Sequence, residues 1–322
     1  MGRSAFPIGC SAHRHRRVVA QPRKARPRPN LFIVGAPKCG TTAWVEYLRT
    51  HPDIFFAEIK EPHYFCTDLP GMRWTGSLEK YESLFEHAGG NKIVAEGSVM
   101  YLYSDAAARE IHAYNPDSKI LIFVRAQEDF LPSLHHQYLQ RFTENIEDFE
   151  KAWRLSEDRP ADTIPKHRRD HKLTNYAAMG RFSEQVRRYL DLFGKDRVKV
   201  IRFRDWTADP RATYLDILSF LGVKDDGRTD FPTVNEAKSY RIKWIGRLLA
   251  HPPAILEAPI ALLRKLLGRQ SLGLGAMAIK AASTPGYTTS ISPALRDEIR
   301  HYYKSDNEQL ERLFGGPSAA AR

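Results

Sequence analysis

Cysteine is scarce in this sequence, and long apolar runs are missing from it. The three cysteines, Cys10, Cys39 and Cys66, are widely spaced and form no C-x-x-C pair. This argues against a disulfide framework and against a zinc site, and it fits a reducing compartment best. No segment approaches the roughly 20 apolar residues that span a bilayer, and the N-terminus lacks the apolar core of a signal peptide. We therefore expect a soluble, cytoplasmic protein without a metal site.

Acidic residues are absent from the first 30 positions, which contain eight Lys or Arg. The formal charge of the 322 residues is +11, so most of the excess positive charge belongs to this stretch. Residues 1–29 lack apolar periodicity and are expected to form a disordered basic tail. A polyanion-binding module, as an arm for nucleic acid or a membrane surface, is one interpretation. A solvated leader without a specific nucleic-acid partner is favoured, because no aromatic residue lies among the basic ones at 14–28 for base stacking. Residues 30–316 are expected to form one domain, and 317–322 a flexible C-terminus.

A dinucleotide fingerprint is also missing, and the stretch LFIVGAPKCGTTAWVEYL offers a different loop. Leu31–Val34 is an apolar run that ends at Gly35, and Thr41–Leu48 has helical spacing. This order predicts a strand, a loop and a helix whose first amides and dipole favour a bound anion. Lys38 lies inside the loop and adds a cation to this predicted cradle. The alternative is a strand, turn and helix that bind nothing.

The two loop glycines have the spacing of a Walker A motif, but Thr41 stands where that motif needs Lys. Lys38, inside the loop, should lie beside the bound group rather than reach the end of a triphosphate. Lys119–Val124 has the length and residue types of a central parallel strand. It ends in Arg125 rather than in the Asp that usually holds Mg²⁺ in a P-loop enzyme. A P-loop kinase that uses ATP and Mg²⁺ therefore stays only as an alternative.

Arg125 and Ser133 form a second candidate for anion binding. Arg125 is at the carboxyl end of a predicted strand, where open α/β sheets bind ligands, and Ser133 lies in the helix that follows. Such a pair suits a second phosphate, separate from the one in the loop. The alternative is that Arg125 forms an ion pair with Glu128 or Asp129 and that Ser133 is an ordinary helical residue.

Acid and base chemistry is predicted after a short strand at Ile54–Phe56. Glu61 stands among Pro, Tyr and Phe in the segment K-E-P-H-Y-F, so a partly buried carboxylate that acts as a general base is expected. His63 is its expected orienting partner. The alternative is that Lys60 and Glu61 form a surface ion pair and that His63 is a loop residue.

Three of these segments resemble parts of one known family. Residues 37–43, P-K-C-G-T-T-A, are similar to the 5′-phosphosulfate loop of sulfotransferases that use 3′-phosphoadenosine 5′-phosphosulfate (PAPS). The segment K-E-P-H-Y-F resembles that of the carbohydrate and heparan-type members, in which the Glu is taken as the base. The pair Arg125 and Ser133 resembles their 3′-phosphate motif. The resemblance, which extends to related bacterial sulfotransferases, covers roughly residues 30–315.

This resemblance implies a P-loop-type three-layer α/β fold with a central parallel sheet flanked by helices. It also implies metal-free, in-line transfer of a sulfuryl group from PAPS to an acceptor hydroxyl, which leaves adenosine 3′,5′-bisphosphate. A carbohydrate acceptor is favoured, with a lipid or small metabolite as the other possibilities. The implied catalytic residues are Lys38, Glu61 and His63. The implied nucleotide-binding residues are Pro37, Lys38, Cys39, Gly40, Thr41, Thr42, Ala43, Arg125 and Ser133.

The segment that begins at Glu96 resembles a further family pattern, E-x-[ST]-P-x-Y. Glu96, Ser98 and Tyr101 match it, whereas a valine replaces the proline. Gly97 stands where some heparan-type members have a lysine that contacts an acidic sugar. Family members often contact the nucleotide or the acceptor at the positions of Tyr176, Gly180 and Arg181.

Periodicity and breakers predict the remaining elements. Residues 143–173 are expected to form a polar loop with a basic cluster at 166–172. For 254–268 an ordinary packed helix is favoured, and the alternatives are a lid, an acceptor-binding wall or a membrane-surface helix. His135 and His136 point apart on their helix, which argues against a metal site. Strands are predicted at 92–95 and 197–203, and helices at 79–86, 104–112, 175–193, 209–221 and 293–314.

Overall fold

The computed structural model describes residues 26–165, 170–232 and 290–314, and the backbone of two short strands at 238–240 and 283–285. A central sheet of five parallel strands has the order β2-β3-β1-β4-β5, and helices flank it. The predicted α/β fold is therefore confirmed. The strands of this sheet are β1 (Leu31–Gly35), β2 (Ile54–Phe56), β3 (Ile93–Gly97), β4 (Lys119–Val124) and β5 (Val198–Arg202).

The helices of the described residues agree with most of the predicted positions. In chain order they are α1 (Thr41–Arg49), α2 (Leu78–Ser83), α3 (Ala107–Tyr114), α4 (Gln127–Gln140), α5 (Phe149–Arg154), α6 (Tyr176–Met179), α7 (Phe182–Phe193), α8 (Phe203–Ala208), α9 (Pro210–Leu221), α10 (Pro293–Tyr302) and α11 (Lys304–Leu313). The strand, loop and helix around Gly35 are confirmed. An antiparallel pair, β6 (Lys238–Tyr240) and β7 (Ser283–Pro285), lies outside the central sheet.

The strand order brings the segments of interest to one edge of the sheet. β1 lies between β3 and β4, and all five strands run in the same direction. The segments that follow them, which carry Lys38, Glu61, Ser98, Arg125 and Trp206, therefore begin at the same edge. The strand order reverses at β1, because β3 lies on one side of it and β4 on the other. A crevice is expected beside β1 at this edge, since open α/β sheets have one where the order reverses.

Trp44 anchors the first helix to the sheet. Its fully buried indole stacks on Phe123 of β4, with ring centroids 5.7 Å apart, and on Tyr214 of α9 at 6.5 Å. Large aromatic side chains supply much of the packing energy of a core. This packing fixes the start of α1, and the loop between β1 and α1 is thereby held at a defined position.

The expectation of a polar loop over 143–173 is wrong in part, because α5 lies within it. Asp148 caps this helix, since its carboxylate accepts from the Lys151 amide at 2.8 Å. Phe149 and Trp153 then bury one face. A helix of six residues has too few apolar positions to show a clear period, so the pattern alone did not reveal it.

Two long predicted helices are interrupted. The one over 175–193 is divided into α6 and α7 at Gly180 and Arg181, and the one over 293–314 is divided at Tyr303 into α10 and α11. The Tyr303 side chain is buried and its hydroxyl donates to the Ala177 carbonyl at 2.9 Å, so the break turns a large residue into the core. Phe203, predicted as the end of a strand, instead starts α8.

Several predictions concern residues outside the described ranges. These are most of the basic tail, at 1–25, the central part of the basic cluster, at 166–169, the segment 254–268 and the C-terminus at 315–322. The last residues of the predicted tail are described and lie against the domain. There, the guanidinium of Arg28 forms an ion pair with Glu82 at 3.3 Å.

Candidate active site

The loop between β1 and α1 turns at two glycines with positive φ. Gly35 has a φ of 145°, and a Cβ there would lie 2.5 Å from the Val99 carbonyl oxygen and 2.8 Å from the Cβ of Leu102. Gly40, the N-cap of α1, has a φ of 84°. Side chains other than hydrogen are disfavoured in both conformations. The segment after β3 therefore packs directly on the loop.

The N-terminus of α1 presents amides that the helix itself does not use. Its first helical hydrogen bond runs from the Trp44 amide to the Gly40 carbonyl at 3.2 Å. The amides of residues 41–43 precede this bond and have no acceptor within the helix. Together with the positive end of the helix dipole, they are the kind of donors that the predicted anion site requires. Pro37, Cys39, Thr41 and Ala43 are buried, while Lys38, Gly40 and Thr42 are partly accessible.

Lys38 lies among other cations at this loop. Burial lowers the pKa of its ammonium group, and the nearby charges of Arg125, Arg141 and Lys60 lower it further. Its backbone has a φ of 62°, which is uncommon for a residue with a side chain. Positive charges concentrated around an accessible loop repel one another. A bound polyanion is attracted by each of them and offsets this repulsion, so the charges stabilise such a ligand.

Arg125 is held at the end of β4 without a carboxylate partner among the described residues. Its guanidinium carbon lies 4.5 Å from the centroid of the Phe203 ring, and Nη1 donates to the Lys38 carbonyl at 3.4 Å. Its Nε is buried and has no hydrogen-bond partner in the described part of the chain. The guanidinium therefore keeps capacity for an anion beside the loop.

The alternative in which Arg125 pairs with Glu128 or Asp129 is wrong. Glu128 instead accepts from Arg300 at 2.7 Å, and Asp129 accepts from Arg296 at 2.7 Å. Both arginines belong to α10, so these pairs fasten the C-terminal helices to α4. Ser133 lies in the second turn of α4 and is partly accessible.

Glu61 lies after β2 and close to the donor loop. Its side chain is 21% exposed and pairs with Lys60, whose Nζ is 3.0 Å from the carboxylate. The same Nζ lies 2.5 Å from the hydroxyl oxygen of Thr42. The predicted surface pair therefore exists, but it bridges the candidate base and the first turn of α1. Sequence reasoning did not find this contact, because Lys60 and Thr42 are 18 positions apart.

His63 lies in a loop, and its imidazole is buried. Burial lowers the pKa of its imidazole to about 4, although the Glu61 charge and a hydrogen bond with the Glu61 backbone act in the opposite direction. The Met100 amide donates to Nε2 at 3.4 Å. With its pKa lowered in this way, the His63 imidazole carries no charge near neutral pH.

Glu96 is at the centre of a buried hydrogen-bond network that the sequence did not predict. Its carboxyl group is fully buried and accepts from the hydroxyls of Tyr81 and Tyr101, each at 2.9 Å, and from that of Ser98. Burial raises the pKa of this carboxyl to about 7, against the effect of the three hydroxyls. The spacing of Glu96, Ser98 and Tyr101 was visible in the sequence, but nothing in it showed that all three meet.

Trp206 of α8 is a second residue that the sequence did not single out. Its indole Nε1 donates to the Cys39 carbonyl at 3.3 Å, and its ring packs edge-on against Trp44 at 6.0 Å. The end of β5 thus also reaches the loop. A tryptophan in an apparent strand-to-loop region carries no signal for this position, because the contact depends on how α8 folds back.

At the three positions where family members often contact ligands, the residues of this chain make contacts within the protein. Tyr176 is buried and donates to Glu144 at 2.9 Å, in a network with Arg159. The Gly180 carbonyl accepts from a glutamine of α4, and Arg181 pairs with Glu157 at 3.0 Å. These contacts support the helices and give no direct evidence of ligand binding.

Neither a metal centre nor a membrane-crossing helix is found within the described ranges. No group of three or more His, Cys, Asp and Glu residues there is arranged to hold a metal ion. No described helix has the length and apolar character needed to cross a bilayer.

Comparisons with known proteins find similarity to sulfotransferases. Residues 28–234 match the family model of the sulfotransferase domain. A heparan sulfate glucosamine 3-O-sulfotransferase 6 of Homo sapiens is 27% identical over 250 residues, which are 74% of this chain and 67% of that protein. A carbohydrate sulfotransferase 15 of Mus musculus is 24% identical over 248 residues, which are 61% of this chain. The match spans 44% of that relative, less than half of its length.

A solved structure is similar over nearly the whole chain. The crystal structure of a sulfotransferase from Alicyclobacillus acidocaldarius aligns with a TM-score of 0.66 and 28% identity, covering 91% of this chain and 98% of the other. The resemblance stated from the sequence is thereby confirmed. Since the domain model matches well over half of the residues, the chain belongs to the sulfotransferase family.

Proposed function

We propose that this protein transfers a sulfuryl group from PAPS to an acceptor hydroxyl, with Glu61 as the general base. The observation that carries the proposal is the position of Glu61 beside the first turn of α1. Lys60 lies within reach of both the Glu61 carboxylate and the Thr42 hydroxyl. A base and an anion loop linked in this way would bring the acceptor hydroxyl and the donor group together.

The phosphosulfate is assigned to the loop of residues 37–43. The unused amides of α1 and the ammonium of Lys38 would bind its phosphate, as they would any anion at a helix N-terminus. Arg125 and Ser133 are assigned to the 3′-phosphate. The Arg125 guanidinium suits this role because Glu128 and Asp129 pair with α10 instead, so neither carboxylate neutralises it.

The chemical step needs one proton acceptor and several fixed positive charges. The acceptor hydroxyl gives its proton to Glu61 while its oxygen forms a bond to sulfur. The bond between sulfur and the bridging oxygen breaks, and its electron pair stays on the 5′-phosphate of adenosine 3′,5′-bisphosphate. Lys38 and the loop amides would stabilise the charge that develops on that oxygen. His63, buried and neutral, would hold the Glu61 turn rather than carry the proton.

A carbohydrate hydroxyl is the acceptor that we favour. Two relatives of this chain are named for transfer to carbohydrate or to heparan sulfate glucosamine. The K-E-P-H-Y-F segment, which carries the proposed base, is similar to the corresponding segment of such enzymes. Lipids and small metabolites with a hydroxyl group stay as alternatives, which an acceptor screen separates.

Isothermal titration with adenosine 3′,5′-bisphosphate tests the donor. We expect 1:1 binding with the same Kd in EDTA and in millimolar Mg²⁺, because the proposed site holds the two phosphates with protein cations alone. Titration with ATP under both conditions is the matched comparison. Binding of ATP that requires Mg²⁺, with no binding of the bisphosphate, would contradict the proposal and favour a P-loop kinase.

The acceptor is tested with radiolabelled PAPS and a panel of sugars, lipids and phenols. Label should pass to a sugar hydroxyl and should not do so with the Glu61→Gln variant. Transfer to a lipid or a phenol alone would retain the sulfotransferase chemistry and overturn the carbohydrate assignment. The absence of any transfer despite tight bisphosphate binding would leave the donor site in place and move the search to a different acceptor class.

A further inference from the structure

The turn that carries Glu61 is held by hydrogen bonds from alternate backbone amides, those of Glu61, His63 and Phe65. The Glu61 amide donates to the Gly97 carbonyl at 3.2 Å, and the His63 amide donates to the Ser98 hydroxyl oxygen at 3.0 Å. The Phe65 amide donates to the Tyr101 hydroxyl oxygen at 3.3 Å. All three acceptors belong to the end of β3 and the segment that follows it. The turn therefore depends on this segment for its shape.

The shape of the turn is unfavourable without such support. Glu61 has a φ of 57° and His63 a φ of 48°, both in the left-handed region. Residues with a side chain are destabilised there, because Cβ lies too close to the following carbonyl oxygen. Strain of this kind persists only where the surroundings impose it, and it is common at functional sites. The amide hydrogen bonds to Ser98 and Tyr101 are the visible restraint.

Both hydroxyls that restrain the turn also donate to one buried carboxyl group. Ser98 and Tyr101 each direct a hydroxyl proton at Glu96, which is completely buried, and Tyr81 supplies a third donor. A hydroxyl has one proton to donate. Because these two protons point at Glu96, the oxygen lone pairs face the amides of His63 and Phe65. The carboxyl group thereby fixes the direction of both restraints.

We propose that Glu96 is a positioning residue for the catalytic turn and acts on Glu61 through Ser98 and Tyr101. The link to catalysis rests on the proposed function, but the structural effect does not. The ionised carboxylate only accepts, whereas a glutamine amide at this position must also donate two protons. One of those protons would face a hydroxyl oxygen and compete with a turn amide. The Glu96→Gln variant keeps the size of the side chain and reverses only this polarity.

Hydrogen–deuterium exchange of the full-length protein tests the structural effect at about pH 8. In the Glu96→Gln variant we expect at least about tenfold faster exchange in peptides that cover residues 59–66. Peptides that cover the loop at 35–43 should exchange as in the wild type. The Ser98→Ala variant removes one restraint directly and should speed exchange in the same peptides. Unchanged exchange at 59–66 in the Glu96→Gln variant would overturn the proposal, whatever the Ser98→Ala variant shows.

Glu144→Gln is the matched control. Glu144 is another fully buried carboxylate, paired with Arg159 and bonded by Tyr176, so its replacement also weakens a buried network. Faster exchange at 59–66 in this control would show that general destabilisation opens the turn, and the proposal would fail. Should Glu96→Gln not fold, the Ser98→Ala variant keeps the proposal open to refutation, because it leaves the carboxyl group in place and unchanged exchange at 59–66 in it would show that Ser98 does not restrain the turn.

Turnover supplies the catalytic readout once an acceptor is known. The Glu96→Gln variant should lose at least about tenfold in kcat, since small misplacements of a catalytic group are costly. The Kd for adenosine 3′,5′-bisphosphate should stay within about twofold of the wild type. An unchanged kcat with faster exchange would remove the catalytic role. If the sulfotransferase proposal itself fails, the wild-type protein will not bind adenosine 3′,5′-bisphosphate. The exchange experiment does not depend on that binding, so the two failures are distinguishable.

Discussion

The ring of Trp206 lies directly over the Cα of Gly40. A Cβ built at Gly40 would overlap Cζ2 of the indole and lie 3.0 Å from Cε2. The indole is also tied to the loop by its hydrogen bond to Cys39. The loop is therefore closed on one side by an aromatic ring that the end of β5 supplies.

Gly40→Ala should abolish or strongly weaken binding of adenosine 3′,5′-bisphosphate. The added methyl group must displace Trp206 or the loop, and the φ of 84° adds strain. We expect a loss of at least about tenfold in affinity by isothermal titration, which corresponds to about 1.4 kcal/mol. Gly222→Ala is the control, because its φ is 72° but no atom lies within 4 Å of the added Cβ. The control should lose stability alone, and an equal loss of affinity in both would contradict the role of Trp206.

Lys38→Met and Arg125→Met should each weaken bisphosphate binding. Each removes a charge-assisted contact of about 1.5–3 kcal/mol, so we expect roughly a tenfold to hundredfold rise in Kd. The rise should shrink at high salt, since exposed charges are screened. Arg204→Met is the control, because Arg204 is an exposed residue on α8 that pairs with Asp205. Full affinity in the Lys38 and Arg125 double variant would exclude this binding site.

The parts of the site that were predictable depend on local sequence. The loop between β1 and α1 follows from an apolar strand, two glycines and a helix, and the position of Arg125 follows from the buried strand before it. Parallel strands then place both at one edge of the sheet. Such features are readable because each is a short pattern whose geometry the backbone dictates.

The parts that were missed depend on contacts between distant segments. Glu96 meets the Tyr81 hydroxyl only because the fold brings α2 next to the end of β3. Trp206 reaches Gly40 only because Phe203, predicted as strand, starts a helix. Lys60 is adjacent to Glu61 in sequence, yet its contact with Thr42 requires the folded sheet. Burial and partner identity of these groups are properties of packing, which periodicity does not encode.

Glu61→Gln should separate chemistry from binding. The amide cannot accept the acceptor proton, so we expect kcat to fall by about 10²–10⁴-fold, the usual contribution of a general base. Bisphosphate affinity should stay within about threefold of the wild type. Glu58→Gln, at an exposed position three residues earlier, should retain full turnover. Normal turnover by the Glu61→Gln enzyme would assign the base elsewhere.

Glu96 should make the free energy of unfolding fall as the pH rises from about 4.5 to about 7. Its pKa is raised to about 7 in the folded protein from a usual value of 4.5, chiefly by burial, so the folded state holds a proton that the unfolded state has lost. The stability that this proton provides is complete below about pH 4.5 and is lost as the pH passes 7. The slope contributed by one group is at most about 1.4 kcal/mol per pH unit.

The difference between wild type and Glu96→Gln isolates this contribution. The free energy of unfolding, measured in urea at intervals from pH 4.5 to 8, should increase for the variant relative to the wild type as the pH rises. The difference between the two proteins should not change further above about pH 8. His63 contributes the opposite trend, because its pKa is lowered to about 4 and its stabilising effect is lost as the pH falls below 6.5. That trend is present in both proteins and cancels in the difference. A difference that is flat across the whole range would mean that the pKa of Glu96 is the same in the folded and unfolded states, and a slope of the opposite sign would mean that the folded state favours the charged carboxylate.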